Sequence, residues 1–369
     1  MKPVRIVTLV AAILVPLAPS IVSAATKPTA QADPAQSAAD QLVKHGAAGV
    51  QVRITRNGQT RTVQAGAAEL NSTAPVSPDG VYRIGSMTKM FIATVVLQLV
   101  GEGKIDLDVP VQRYAPALLP DGDKITIRML LQHTSGLYDY VNDLPTEADG
   151  QVFLDSRNRH YDLEELVKLA TAKPLGFTPG SRMSYSNSNF IVAGLLIKAV
   201  TGKAWDDEIR NRITTPLGMN QTKAPGDDPL LPDPHAHGYV PVSGKPVDVT
   251  EWNTTMTGSA GSIISTTADV DRFLSALVGG RLATSAEFAQ MTKTVPDPDG
   301  GNYGLGFQDN ATSCGVTGWG HRGQISGYLS AGFMTLDGTR GVEMSVTTNA
   351  GEFPPGDLLG KLVDSGLCA

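Results

Sequence analysis

The sequence is poor in several things that specialised protein classes require. Cysteine is nearly absent: the 369 residues contain only Cys314 and Cys368, and no Cys-x-x-Cys pair. That leaves no thiolate metal cluster to build, and the histidines offer no ligand spacing beyond His235-x-His237 in a Pro-rich loop. We therefore expect no metal and no cofactor. An excess of basic charge is also absent. Lys plus Arg number 30 against 36 Asp plus Glu, a net charge of −6 with no charged tail. A nucleic-acid partner, which needs a basic patch, is excluded. Beyond the N-terminus there is no apolar run long enough to cross a bilayer, so no stable membrane anchor is expected. Repeats are missing too.

What is present begins with an export pattern. Lys2 and Arg5 precede an almost wholly apolar stretch from Ile6 to Leu17, and Val22-Ser23-Ala24 supplies small residues for cleavage. We read 1–24 as a signal peptide and the protein as secreted; the alternative is an uncleaved anchor. In an oxidising compartment Cys314 and Cys368 would pair, adding roughly 2–4 kcal/mol. The alternative is two free buried thiols. Residues 25–39, rich in Ala, Pro, Gln and Thr, read as a flexible leader, and residues 40–369 as one domain.

Within that domain the hydrophobic period changes twice. Val50 to Ile54 alternates as a strand, Asn57-Gly58 marks a hairpin turn, and Arg61 to Ala65 pairs back. Ser86 then opens a helix carrying Phe91, Val95, Val96, Leu99 and Val100 at helical spacing. Residues of about 106–234 are mostly helices and loops, with clear periodicity at Asp162 to Thr171 and Phe190 to Val200. Strands return at Gly318 to His321, Gly327 to Thr335 and Val342 to Thr348. The pattern predicts a mixed α/β fold: one antiparallel sheet made from both ends of the chain, flanked by helices, with a mostly helical region inserted.

Three short motifs carry chemistry. In Ser86-Met87-Thr88-Lys89, positions three apart share a helix face, and the helix N-terminus stabilises an oxyanion. A neutral lysine there could take the serine's proton; alternatively Ser86 is only an N-cap. In Tyr185-Ser186-Asn187, a phenol beside an ammonium has its pKa lowered and can shuttle protons, while the amide can hold a carbonyl. The alternative is turn chemistry. In His321-Arg322-Gly323, glycine on a strand permits close approach of a ligand, and a free strand edge can pair with a peptide. The alternative is a structural imidazole.

In this order, Ser-x-x-Lys, Tyr-x-Asn and His-x-Gly resemble the three-part pattern of the penicillin-recognising serine hydrolases. The chain is most similar in pattern to the Streptomyces-type serine D-alanyl-D-alanine carboxypeptidase/transpeptidases, a group like the class C β-lactamases. The likeness runs through nearly the whole mature chain. It is carried by Tyr82 to Lys89, His133 to Tyr140, Tyr185 to Ala193, Thr215 to Met219, Ser259 to Gly261, Gly304 to Gly306 and both cysteines. The resemblance implies a β-lactamase/transpeptidase-like fold and an acyl-enzyme on Ser86. It implies proton transfer by Lys89 and Tyr185, and a substrate amide held by Asn187. His321, Arg322, Gly323 and Gln324 would form the substrate-binding strand, with the backbone N–H groups of Ser86 and Gln324 as the oxyanion hole. The implied function is that of an exported serine DD-peptidase, a D-alanyl-D-alanine carboxypeptidase acting on a D-peptide or peptidoglycan fragment, with β-lactams as acylating inhibitors.

Four positions depart from that pattern. Gln308 stands where the group has an arginine that binds the substrate's terminal carboxylate. His321-Arg322-Gly323-Gln324 replaces His-Thr-Gly-Thr, and Met256 replaces a tryptophan. Arg322 could take over carboxylate recognition. The alternative is that the carboxylate is unread and amides, esters or longer peptides are preferred. A second enzymatic reading keeps the Ser86 mechanism in an esterase, a D-amino-acid amidase or a β-lactamase. A non-catalytic penicillin-binding module is the remaining alternative.

Overall fold

The computed structural model describes Met1, residues 33–348 and residues 356–368. Apart from Met1, the expected signal segment and residues 25–32 of the expected leader lie outside the described residues. From residue 33 onward the chain is one compact unit.

The leader ends earlier than its composition suggested. Asp33 caps a helix, α1 (Pro34–Lys44), by accepting from the Ala35 N–H at 3.0 Å. Ala35, Ala38, Ala39 and Leu42 are buried at helical spacing. Alanine reads as linker composition, yet it is the best helix former and its small side chain allows close packing.

One antiparallel sheet organises the molecule. Its strands are β1 (Ala47–Arg56), β2 (Gln59–Gly66), β3 (Val295–Pro296), β4 (Asn302–Tyr303), β5 (Gln308–Ala311), β6 (Thr317–Ile325), β7 (Tyr328–Met334) and β8 (Arg340–Thr348). Their spatial order is β2-β1-β8-β7-β6-β5-β4-β3. The expected hairpin is present: Arg56 pairs with Gln59 across Asn57 and Gly58, both at positive φ. β1 pairs along its length with β8, with Val52 opposite Met344, so the two ends of the domain meet in mid-sheet.

The two faces of the sheet differ. Val50, Val52, Ile54, Leu329, Ala331, Phe333, Val342, Met344 and Val346 form a core under α1 and α6 (Gly356–Leu367). The other face presents Gln51, Arg53, Thr55, Ser330, Glu343 and Ser345 toward the rest of the protein, as strand alternation requires. On that side stand α2 (Thr88–Gly101), α3 (Leu163–Thr171), α4 (Ser188–Thr201) and α5 (Thr267–Val278). The apolar stripe predicted for α2 is only part of its contact surface: nearly every residue from Thr88 to Leu99 is buried, so α2 is a central helix. Helices also extend beyond the expected limit near residue 234. Thr266 caps α5, and Thr284 forms a capping box with Glu287 at Ser285–Met291.

Cys314 and Cys368 form a disulfide with Cα atoms 5.8 Å apart. It ties the β5–β6 turn to the residue after α6. No helix among the described residues is long and apolar enough to cross a membrane.

Candidate active site

Ser86 lies in a short 3₁₀ turn, Gly85–Met87, immediately before α2. Its side chain caps neither helix start, so the N-cap alternative does not hold. One turn on, Lys89 is fully buried and its Nζ donates to Ser86 Oγ at 2.9 Å, Asn187 Oδ1 at 2.8 Å and the Ala260 carbonyl at 2.9 Å. Three donors thus meet three acceptors. Two of these acceptors are carbonyl oxygens, which can only accept. Ser86 alone can return a proton, so a neutral Lys89 would aim its lone pair at the serine hydroxyl. Burial lowers the Lys89 pKa to about 7, with the Asp139 carboxylate opposing the shift.

Asp139 also holds Asn187, whose Nδ2 donates to its carboxylate at 3.0 Å. Ser86, Lys89, Asn187 and Asp139 therefore form one hydrogen-bonded line. Tyr185 stands over it, with Lys89 Nζ 4.9 Å from the ring centroid. The expectation that the lysine would lower the phenol's pKa is overturned. Desolvation around the hydroxyl raises it, with the Ser86 hydroxyl opposing, although the side chain as a whole is 36% exposed. Tyr185 is accordingly a protonated phenol at neutral pH.

The second wall is β6. β5 pairs with it only from Thr317 to Gly320, which leaves residues 321–325 as a strand edge beside Ser86. Two glycines let the edge approach. A Cβ on Gly323 would lie 2.0 Å from the Ile84 carbonyl oxygen. A Cβ on Gly85, itself at φ +53°, would lie 2.9 Å from the Gln324 backbone nitrogen. The backbone N–H groups of Ser86 and Gln324 are thereby neighbours.

Along β6, His321 and Gly323 are buried, whereas Arg322 and Gln324 are exposed on the opposite face. All four line a cavity of about 450 Å³ with Ser86, Tyr185 and Gln308. Arg322 is occupied there: its Nη2 donates to Asn310 Oδ1 at 2.6 Å. Across Ser86 lies a second cavity of about 250 Å³ with Phe153, Trp252 and Met256, and with the Glu147 carboxylate, to which Ser326 donates at 2.6 Å.

Several contributors escaped the sequence reading. His133 and Asp139 fall in a segment quoted only for its likeness, and nothing in the sequence marked Tyr303 or Glu147. His133 stacks on Tyr185, their ring centroids 4.1 Å apart. Burial and the nearby Lys89 charge hold both His133 and His321 below the usual histidine range, His321 at about 3. Among the described residues no group of three or more His, Cys, Asp or Glu could hold a metal ion.

Known proteins resemble this chain in sequence and fold. The chain matches the family described as Beta-lactamase over residues 35–364. It is similar to penicillin-binding protein 4 of Amycolatopsis lactamdurans, 26% identical over 84% of this chain and 82% of that one. Among solved structures, a D-stereospecific amidohydrolase from Streptomyces sp. superposes with a TM-score of 0.83 at 35% identity, covering 91% of this chain and 98% of that one. The D-amino acid amidase of Ochrobactrum anthropi SV3 superposes with a TM-score of 0.78 at 29% identity, covering 90% and 97%.

Proposed function

Because the chain belongs to the beta-lactamase family of serine hydrolases, we propose that it hydrolyses amide bonds of D-configured amino acids and short D-peptides without requiring a terminal carboxylate. The observation that carries this reading is the leaving-group wall. Gln308 is neutral, and Arg322, the single cation lining that cavity, is bonded to Asn310. The D-stereospecific amidohydrolase and the D-amino acid amidase with similar folds support the amide preference.

In this mechanism neutral Lys89 takes the Ser86 proton as Oγ attacks the carbonyl carbon. The oxyanion forms between the N–H groups of Ser86 and Gln324. Tyr185, protonated, hands its proton to the departing amine and recovers one from Lys89. Water then attacks the acyl-enzyme by the reverse route, releasing the acid and restoring Ser86. Asn187 and the backbone edge of β6 hold the substrate amide. Glu147 gives the acyl-side cavity a negative charge that favours a free α-ammonium, beside Phe153 and Trp252 for an apolar D side chain. His321 and Gly323 shape the strand. β-Lactams, as strained amides, would acylate the same serine.

A second reading, a D-alanyl-D-alanine carboxypeptidase, is favoured by one observation: Arg322 lines the same cavity as Ser86. Its bond to a neutral amide could be exchanged for a charge-assisted bond to a carboxylate. A hydrolysis panel separates the two: a D-Ala-D-Ala peptide, its C-terminal amide, a short D-amino-acid ester and a chromogenic cephalosporin. We expect the amide to be cleaved at least as fast as the acid. A strong acid preference that disappears in Arg322→Ala would replace our reading with the carboxypeptidase. No turnover together with a stable penicillin adduct on Ser86 would leave a binding module.

A further inference from the structure

The side chains beneath Tyr185 form a hydrogen-bonded line whose direction can be deduced. His133 Nδ1 lies 3.2 Å from the backbone nitrogen of Ser186 and 3.1 Å from Asn189 Nδ2. A backbone N–H can only donate, so Nδ1 carries a lone pair and the neutral ring has its proton on Nε2. Nε2–H faces Tyr303 Oη at 3.2 Å. The phenol's own proton is then free for His321 Nε2, 2.8 Å away. His321 keeps its proton on Nδ1, where the Arg322 carbonyl accepts it. All three side chains are sealed from solvent, at 0%, 1% and 2% exposure.

We propose that His133, Tyr303 and His321 form a neutral strut, locked in one tautomer, that positions Tyr185 over Ser86 and sets its spacing from the strand bearing Gln324. At one end His133 grips the Tyr185 loop from several sides. Its carbonyl accepts from Ser184 N–H at 2.9 Å, its Nδ1 accepts from Ser186 N–H, and its ring stacks on Tyr185. At the other end His321 sits in β6 between the Gly320–Gln308 pairing and the Gly323 wedge. The strut thus joins the proton-transfer side of the cleft to the oxyanion side, through groups that leave the transfer itself to Lys89 and Tyr185.

The lock depends on both rings staying uncharged. A proton added to His133 Nδ1 would oppose the Ser186 N–H, and one added to His321 Nε2 would oppose the Tyr303 hydroxyl. The charged and titratable groups around the strut reinforce neutrality. Lys89 faces both rings from α2 and Arg322 adjoins His321 on β6, each disfavouring a second cation. Tyr185 lies over His133, and Asp297 acts from β3's end on Tyr185 and Tyr303, keeping the phenols protonated.

The test uses the full chain labelled with ¹⁵N-histidine and read by long-range ¹H–¹⁵N NMR. Two of the six histidines should show fixed neutral tautomers of opposite type, Nε2–H for His133 and Nδ1–H for His321, unchanged from about pH 5 to 8. Tyr303→Phe keeps the ring and deletes both bonds. It should turn both signals into tautomer mixtures and lower kcat about 10- to 100-fold with KM within about threefold. Titration of either ring in that window, the same tautomer on both, or wild-type kcat in Tyr303→Phe would overturn the proposal. The spectra of the unmutated protein need no substrate and no variant, so they decide the tautomers even if Tyr303→Phe fails to fold or the amide specificity is wrong.

Discussion

At the scale of single residues, the charge state of Lys89 sets the pH dependence. A general base must be neutral, and burial brings the Lys89 pKa to about 7. The kcat/KM profile should therefore rise as pH rises through about 7. Removing the nearby negative charge with Asp139→Asn withdraws what holds the lysine's pKa up. The acid limb should move to lower pH, and pH–rate profiles of the two proteins check this. Lys89→Met should lower kcat/KM at least about 1,000-fold. Ser86, Lys89, Tyr185 and Asn187 were legible because each is a polar residue in a short motif with a chemical reason for its spacing. Asp139 was not, because its importance comes from being the counter-charge to Lys89, and they meet only through Asn187. The Tyr185 pKa was misjudged for a related cause: a motif shows which charges are near but not how far a partly exposed side chain's hydroxyl is desolvated.

At the scale of elements, close backbone approach matters more than side-chain chemistry. Gly323→Ala would drive a methyl group into the Ile84 carbonyl. β6 would have to retreat, taking the Gln324 N–H away from the oxyanion. We expect kcat to fall about 100- to 1,000-fold, as for a lost oxyanion donor, with a smaller change in KM. Steady-state kinetics beside a circular-dichroism melt would separate this from unfolding. β8 supplies a second case. Glu343 is fully buried with neither carboxylate oxygen bonded, and burial pushes its pKa well up. A raised pKa in the fold means that the folded chain binds more protons than the unfolded one, so stability falls as pH rises above the ordinary carboxyl range. Glu343→Gln should flatten that loss and add about 1 kcal/mol at pH 7, measured by urea unfolding across pH. The long strands β1, β2 and β6 to β8 were legible from alternation and the Asn57-Gly58 turn. The hairpin Tyr239–Val242 with Lys245–Asp248 and the brief strands β3 to β5 were not, since two to four residues carry too little period to see.

At the scale of the whole molecule, the sequence suggested a sheet made from both chain ends, and the structure has one. The disulfide fastens that closure from the C-terminal side. Replacing Cys314 and Cys368 by serine should lower stability by about 2–4 kcal/mol while leaving kcat near its original value, since the bond lies away from Ser86; thermal melts and kinetics together check it. The pairing of β1 with β8 also has a consequence in time. These strands stand almost 300 residues apart in the chain, by the Arg53–Glu343 register. A chain emerging from the ribosome holds Ser86 and Lys89 long before β6 exists to offer the Gln324 amide. Until then it has a nucleophile without an oxyanion hole and a sheet without its closing strand, and pairing over such a separation makes folding slow.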